Sequence, residues 1–265
     1  MRRVAVGSLL VAGALMASCK KGMADIKPQL ALHPVPAEAM CATHGALHPG
    51  GGHLRISDPT VRAVAPTTGG DGARLRFVYG GPTQQVAALA SGQIRRQVGL
   101  KLRAEDGCNL VYVMWRLEPK PGVEVSIKRN PGRHTHEECG ASGYTKITPR
   151  RSIAAPRLKP GTEHTLQAEI TGPHLYVWID GKTVWRGKLE ATAKHLVGPA
   201  GFRSDNVQID VAEFAAPEPG AAVAADAGAA APGESGSPPR VTGKPAEAAA
   251  PESPCAKVTA DEGPS

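Results

Sequence analysis

The chain has 265 residues and a formal net charge of +7, with 41% hydrophobic but only 4% aromatic residues. That length admits one or two domains. Aromatic and β-branched residues gather between about Ala73 and Phe214 while Ala, Gly and Pro crowd both ends, which predicts one domain, large enough to bury a core without metals or many disulfides. No nucleic-acid-binding module is legible, which argues against nucleic acid as the partner of the positive charge.

Met1-Arg2-Arg3 is a short basic start, and Val4 to Ala17 then runs without a charged residue. A spanning helix needs roughly 20 apolar residues, so this shorter run reads as a secretory signal. Leu15-Met16-Ala17-Ser18-Cys19 resembles the bacterial lipobox, although Met16 stands where the pattern usually has leucine. The resemblance implies cleavage after Ser18, removing 1–18, and a lipid anchor on Cys19 carrying diacylglycerol and a further acyl chain such as palmitate. Several chains give stable membrane attachment where one is marginal. An ordinary cleaved signal with an incidental cysteine is the plainer alternative. Lys20-Lys21 follow the cysteine without the Asp that marks inner-membrane retention, and the same resemblance therefore implies the outer membrane. Loss of Arg2 and Arg3 would reduce the net charge from +7 to +5.

Residues 19–53 read as a flexible tether, because Pro28, Pro34, Pro36 and Pro49 remove backbone donors and Gly50-Gly51-Gly52 adds freedom. A short strand near Leu54–Ile56 opens the expected domain, 54–215. Within it, Ala73 to Tyr79, Gln97 to Arg103 and Val123 to Lys128 alternate apolar and polar residues with period two, each predicting a half-buried strand. Asn109 to Leu117 is apolar on both faces, as in a central strand. His174 to Arg186 predicts a hairpin whose Asp180-Gly181 supplies the positive-φ turn, with Leu175, Val177 and Ile179 facing inward. Val207 to Phe214 is the last strand. Residues 216–265 are Ala, Pro, Gly and Ser with scattered charge, too poor in large apolar groups to offset ordering, and are expected to be disordered.

Many short strands without a long amphipathic helix predict an all-β sandwich. The order of Gln97 to Arg103, Asn109 to Arg116, His164 to Gly172, Tyr176 to Gly181, Gly198-Pro199-Ala200-Gly201-Phe202 and the final strand resembles the concanavalin A-like (laminin-G-like) jelly rolls. That fold hosts lectins, enzymes and adhesion modules alike, so the resemblance implies architecture and leaves activity open.

No catalytic constellation is legible. Laminarinase-type glucanases of this fold carry Glu-x-Asp-x-x-Glu on one strand, and no such run occurs here. Glu137-Glu138 are adjacent and Asp210 and Glu213 three apart, so on a strand each pair would point to opposite faces. The region Gly172 to Gly181 also resembles 3-keto-disaccharide hydrolases, which supplies the enzymatic alternative.

Beyond Cys19 lie four cysteines, which permit three pairings. Cys108 and Cys139 fall at the mouths of neighbouring strands and are the expected disulfide; Cys41 and Cys255 either pair or stay free. Two histidine groups, Cys41/His44/His48/His53 and His134/His136/Cys139, hold zinc- or copper-type donors without the spacing of a known site. Solvated loop histidines are the simpler account, and no metal or other cofactor is expected. Between Arg95 and Lys159 there are fourteen Lys or Arg against six acids, a solvated basic face or one suited to an anionic partner. Tyr112, Trp115, Trp178 and Trp185 are candidate sugar-stacking rings, against the alternative of core packing. Lys128 and Arg129, in the basic turn that follows the third alternating strand, are candidates for an anionic glycan or a protected strand end.

The sequence therefore predicts a lipid-anchored envelope protein whose sandwich binds a carbohydrate or a partner protein without catalysis. The alternatives are a glycan-processing hydrolase and a purely structural lipoprotein.

Overall fold

A strand aims successive side chains to opposite faces, so period-two sequences fold as sheets with one face buried. The structure, a computed structural model, describes residues 26–220 and Cys255. The signal segment, Cys19 and, apart from Cys255, the tail beyond Gly220 lie outside the described residues.

In chain order the strands are β1 (His33–Pro34), β2 (Cys41–His44), β3 (His48–Gly50), β4 (His53–Ile56), β5 (Thr60–Val64) and β6 (Gly72–Pro82). Then come β7 (Arg96–Leu102), β8 (Leu110–Glu118), β9 (Gly122–Lys128), the single-turn helix α1 (His136–Cys139), β10 (Tyr144–Lys146) and β11 (Pro149–Ser152). The last are β12 (Glu163–Thr171), β13 (His174–Ile179), β14 (Lys182–Lys188), β15 (Gly201–Asp205) and β16 (Val207–Ala216). They form two antiparallel sheets. The larger runs β11-β14-β13-β12-β6-β16-β4-β3, with β1 added beside β16; the smaller runs β10-β9-β8-β7-β15-β5-β2. This is the expected all-β sandwich.

The inner faces supply one core. Leu75 and Phe77 of β6, Val113 and Trp115 of β8, Leu175 and Val177 of β13, and Phe202 of β15 are all fully buried in it. Phe77 meets Trp115 edge to face with ring centres 6.2 Å apart, the arrangement aromatic quadrupoles favour. The hairpin turn between β13 and β14 is as predicted, with φ of +50° at Asp180 and +74° at Gly181.

One expectation is corrected. The segment read as a tether, 19–53, belongs from Ile26 onward to the sandwich. Its prolines do not prevent this, because Pro34 and Pro49 lie in the short peripheral strands β1 and β3, where a missing N–H leaves no ladder bond unmade. Residues 26–30 strap the outer face of the larger sheet. The buried Glu169 carboxylate accepts the backbone N–H groups of Gln29 and Leu30 at 2.8 and 3.3 Å, and the Trp178 indole donates to the Ile26 carbonyl.

Candidate functional site

The outer face of the smaller sheet mixes apolar side chains such as Val64, Tyr112 and Met114 with charged ones such as Arg62, Glu124 and Arg203. Its register builds rows across the strands. One row is Lys146, Ser126, Tyr112, Lys101, Gly201, Val64 and Cys41; the next is Glu124, Met114, Gly99, Arg203, Arg62 and His44. Beside them, Gln97 pairs in register with Asp205. Gly99 is obligatory, since a Cβ there would fall 2.4 Å from the Val113 carbonyl oxygen and 2.5 Å from Met114 Sδ.

Two connecting segments rise over this face as walls. The segment after β6 is pinned by Asn206, whose amide donates to the Ala87 and Arg95 carbonyls at 2.8 and 2.9 Å while its oxygen accepts from Ala87 N–H at 2.8 Å. The segment after β9 is held by the Cys108–Cys139 disulfide, which forms as expected. Asn130 reinforces it, bonding Cys108 and Ser142 through its side chain and Asn109 Oδ1 through its N–H. Thr135 and Glu138 close a reciprocal capping box on α1.

Between the walls lies a pocket of about 300 Å³, at the lower end of the range for small-ligand sites. Its floor is Arg62, Gln97, Tyr112, Met114, Tyr144 and Arg203; Leu89, Gln93 and Arg95 line one wall, and His136 and Ala141 the other. Tyr112 and Tyr144 stack at 6.1 Å, and Tyr144 is 42% exposed. Arg203 lies over Tyr112, 5.1 Å from the ring centre, and its Nε donates to both oxygens of Asp205 at 3.1 and 2.8 Å. Gln97 Nε2 donates to the same carboxylate at 2.7 Å.

The electrostatics are positive. Glu124 is shared by Arg95, Arg116 and Lys146 at 3.2, 2.6 and 2.7 Å. Burial resists its ionisation, but the Lys146 hydrogen bond and the three cations outweigh that and hold its carboxyl below the usual range. Burial, then the charges of Arg62, Lys128 and Arg203, push His136 down to about 4, so its ring is neutral at pH 7. Burial followed by Arg62 and Arg203 lowers His44 too. Burial, then Tyr112, pushes the Tyr144 phenol up to about 12.

The structure distributes the sequence candidates unevenly. Tyr112 is in the pocket floor. Trp115 points inward and is 0% exposed; Trp185 is also in the core. Trp178 faces outward on the opposite sheet but is covered by the strap at Ile26. None of the three tryptophans presents a ring to a ligand. Lys128 is buried, donating to the Gly107 carbonyl at 3.0 Å and lying 5.4 Å from the Tyr144 ring centre. It supports the pocket from behind. Arg129 is away from the pocket, 3.6 Å from Glu105. Cys41 and Cys139 are disulfide sulfurs, so neither offers a thiolate to a metal, and no cluster of three or more His, Cys, Asp or Glu suited to one forms among the described residues. Glu138 caps α1, while Asp210 and Glu213 pair with Arg55 and Arg74 on the larger sheet. Sequence reasoning missed Arg62, Gln97, Tyr144 and Arg203. The available signal was a charged residue inside an otherwise apolar strand, as in Val61-Arg62-Ala63 and Phe202-Arg203-Ser204.

No protein-family model matches the chain, and no curated protein matches it in sequence. Solved structures do. A carbohydrate-binding module, CBM66 from Bacillus subtilis, is 11% identical over 68% of this chain and 94% of its own, with a TM-score of 0.45. A Bacillus subtilis protein of unknown function with a galectin-like fold is 12% identical over 72% and 97%, with a TM-score of 0.46. A tetrameric galectin from the ball sponge Cinachyrella is 14% identical over 60% and 97%, with a TM-score of 0.39.

Proposed function

We propose that this chain is a lipid-anchored protein of the bacterial envelope, attached through Cys19 to the outer membrane, whose sandwich recognises a carbohydrate without chemically altering it. The pocket on the smaller sheet carries the reading. It pairs a partly exposed tyrosine ring, suited to the apolar face of a sugar, with convergent amide and guanidinium groups suited to its oxygens. Lipid attachment is supported by the apolar run ending at Ser18-Cys19.

Recognition is favoured over hydrolysis because the carboxylates nearest the pocket are already committed. Glycoside hydrolysis needs one protonated carboxyl to serve the leaving group. Glu124 is clamped by three cations that keep it ionised, and Asp205 spends its oxygens on Arg203 and Gln97.

Affinity electrophoresis of the purified protein through gels containing different polysaccharides tests this. At least one polymer should retard it, and Tyr144→Ala should weaken that retardation about tenfold without altering the melting temperature. Retardation by none would refute the reading, and release of reducing sugar would replace it with the hydrolase.

A further inference from the structure

Arg62 and Arg203 stand directly opposite one another in the β5–β15 register, on the same face. Like charges in that relation repel. Arg203 is compensated by Asp205, but Arg62 is not. The residue is only 7% exposed, its guanidinium takes part in no ion pair among the described residues, and its buried Nε has no hydrogen-bond partner. A buried cation without an anion is costly, and a ligand anion bonded to Arg62 would offset that cost. His44, the register neighbour of Arg62 on β2, adds no counter-charge.

A second group in the pocket is also unfilled. Gln97 Oε1 is buried without a partner, and its orientation is fixed because Nε2 must face the Asp205 carboxylate. The pocket thus lacks an anion at Arg62 and a hydrogen-bond donor at Gln97. A hexuronate carries both, a carboxylate on the ring and hydroxyls beside it. A planar carboxylate also matches the two-pronged guanidinium.

Resting on the carbohydrate reading above, we infer that the ligand is an acidic polysaccharide whose uronate carboxylate pairs with Arg62 while a sugar hydroxyl donates to Gln97 Oε1. The exposed Tyr144 ring, backed by the buried Tyr112, then bears the apolar face of the sugar ring. Arg62 sets the charge specificity, and the exposed basic side chains elsewhere contribute only salt-sensitive attraction.

The test uses polygalacturonate, its methyl ester, dextran sulfate and neutral dextran, with the full-length protein titrated calorimetrically in 0.15 M salt. Polygalacturonate should bind at least tenfold tighter than its ester. Arg62→Met should abolish that preference while leaving the melting temperature equal to or above the parent's, because it removes an uncompensated charge. Arg150→Gln, at an exposed arginine, should leave the preference intact. Three results would overturn the inference: equal loss with Arg150→Gln and Arg62→Met, dextran sulfate binding as tightly as polygalacturonate, or a melting temperature lowered by Arg62→Met. Equal binding of ester and acid would reject the charge assignment and leave carbohydrate recognition standing. Binding of no polymer in this set or in the gels would remove both.

Discussion

Cys255 is bonded to Cys41, 214 residues earlier in the chain, and packs with Val64, Ala104, Leu110, Tyr112 and Met114 on the outer face of the smaller sheet. A crosslink of that span removes much freedom from the unfolded chain. Replacing both cysteines by alanine should therefore lower stability by about 2–5 kcal/mol, read as a fall in the denaturation midpoint. An unchanged midpoint would mean that the bond constrains nothing the unfolded chain explores.

The second disulfide should behave differently. Cys108–Cys139 closes a short loop and holds α1, which carries His136 to the pocket wall. Its removal should cost about 3 kcal/mol and also weaken ligand binding, because the wall loses its anchor to β8. If both disulfide variants lost stability but kept full affinity, the wall would be irrelevant to recognition.

Trp178→Ala distinguishes this structure from a sugar-stacking role for that ring. The side chain is 2% exposed and its indole N–H serves the strap. The expected result is a stability loss of about 3–5 kcal/mol with unchanged polysaccharide affinity in the fraction that folds. Loss of affinity at unchanged stability would move the site to the larger sheet.

These residues show what the sequence made legible. The longer strands, the Asp180-Gly181 turn and the Cys108–Cys139 pair follow from local rules of alternation, turn stereochemistry and spacing, whereas short strands such as β2, β5 and β10 do not announce themselves. Which face of a strand is covered does not. Trp178 alternates outward as expected, yet burial depends on a strap more than 140 residues away in sequence, and the strap looked like linker because it opens a segment rich in proline and glycine. Arg62 and Gln97 are a similar case. Alternation assigns Gln97 to the outer face and Arg62 lies in a short strand that it did not reveal, and only the cross-strand register places Arg203 opposite Arg62 and Asp205 opposite Gln97.

The strap itself is testable through Glu169, a buried carboxylate whose hydrogen bonds reach Gln29 and Leu30. Glu169→Ala leaves those two N–H groups without an acceptor, at a cost of about 1–3 kcal/mol. Hydrogen exchange should rise first at residues 26–30, with the β7–β8 amides still protected. Uniform exchange across both sheets would instead make Glu169 a determinant of the whole sandwich.

Acid should weaken the fold through the pocket walls. His136 has its folded pKa lowered from 6.5 to about 4, so between those values the unfolded chain binds more protons than the folded one. Stability therefore falls as pH drops from about 6.5 to 4, and no further loss from this group follows below that. Glu124 acts in the same direction at lower pH: its folded pKa is depressed, so its contribution is present above the unfolded value and disappears as pH falls through the folded one. Solvent reaches part of the His136 ring, so the histidine contributes about 1–2 kcal/mol, less than its full shift implies. His136→Gln should flatten the stability profile between pH 6.5 and 4 while keeping the steeper decline below it. A profile unchanged by that substitution would show that the histidine is hydrated in solution and that the positive field of Arg62 and Arg203 does not reach it.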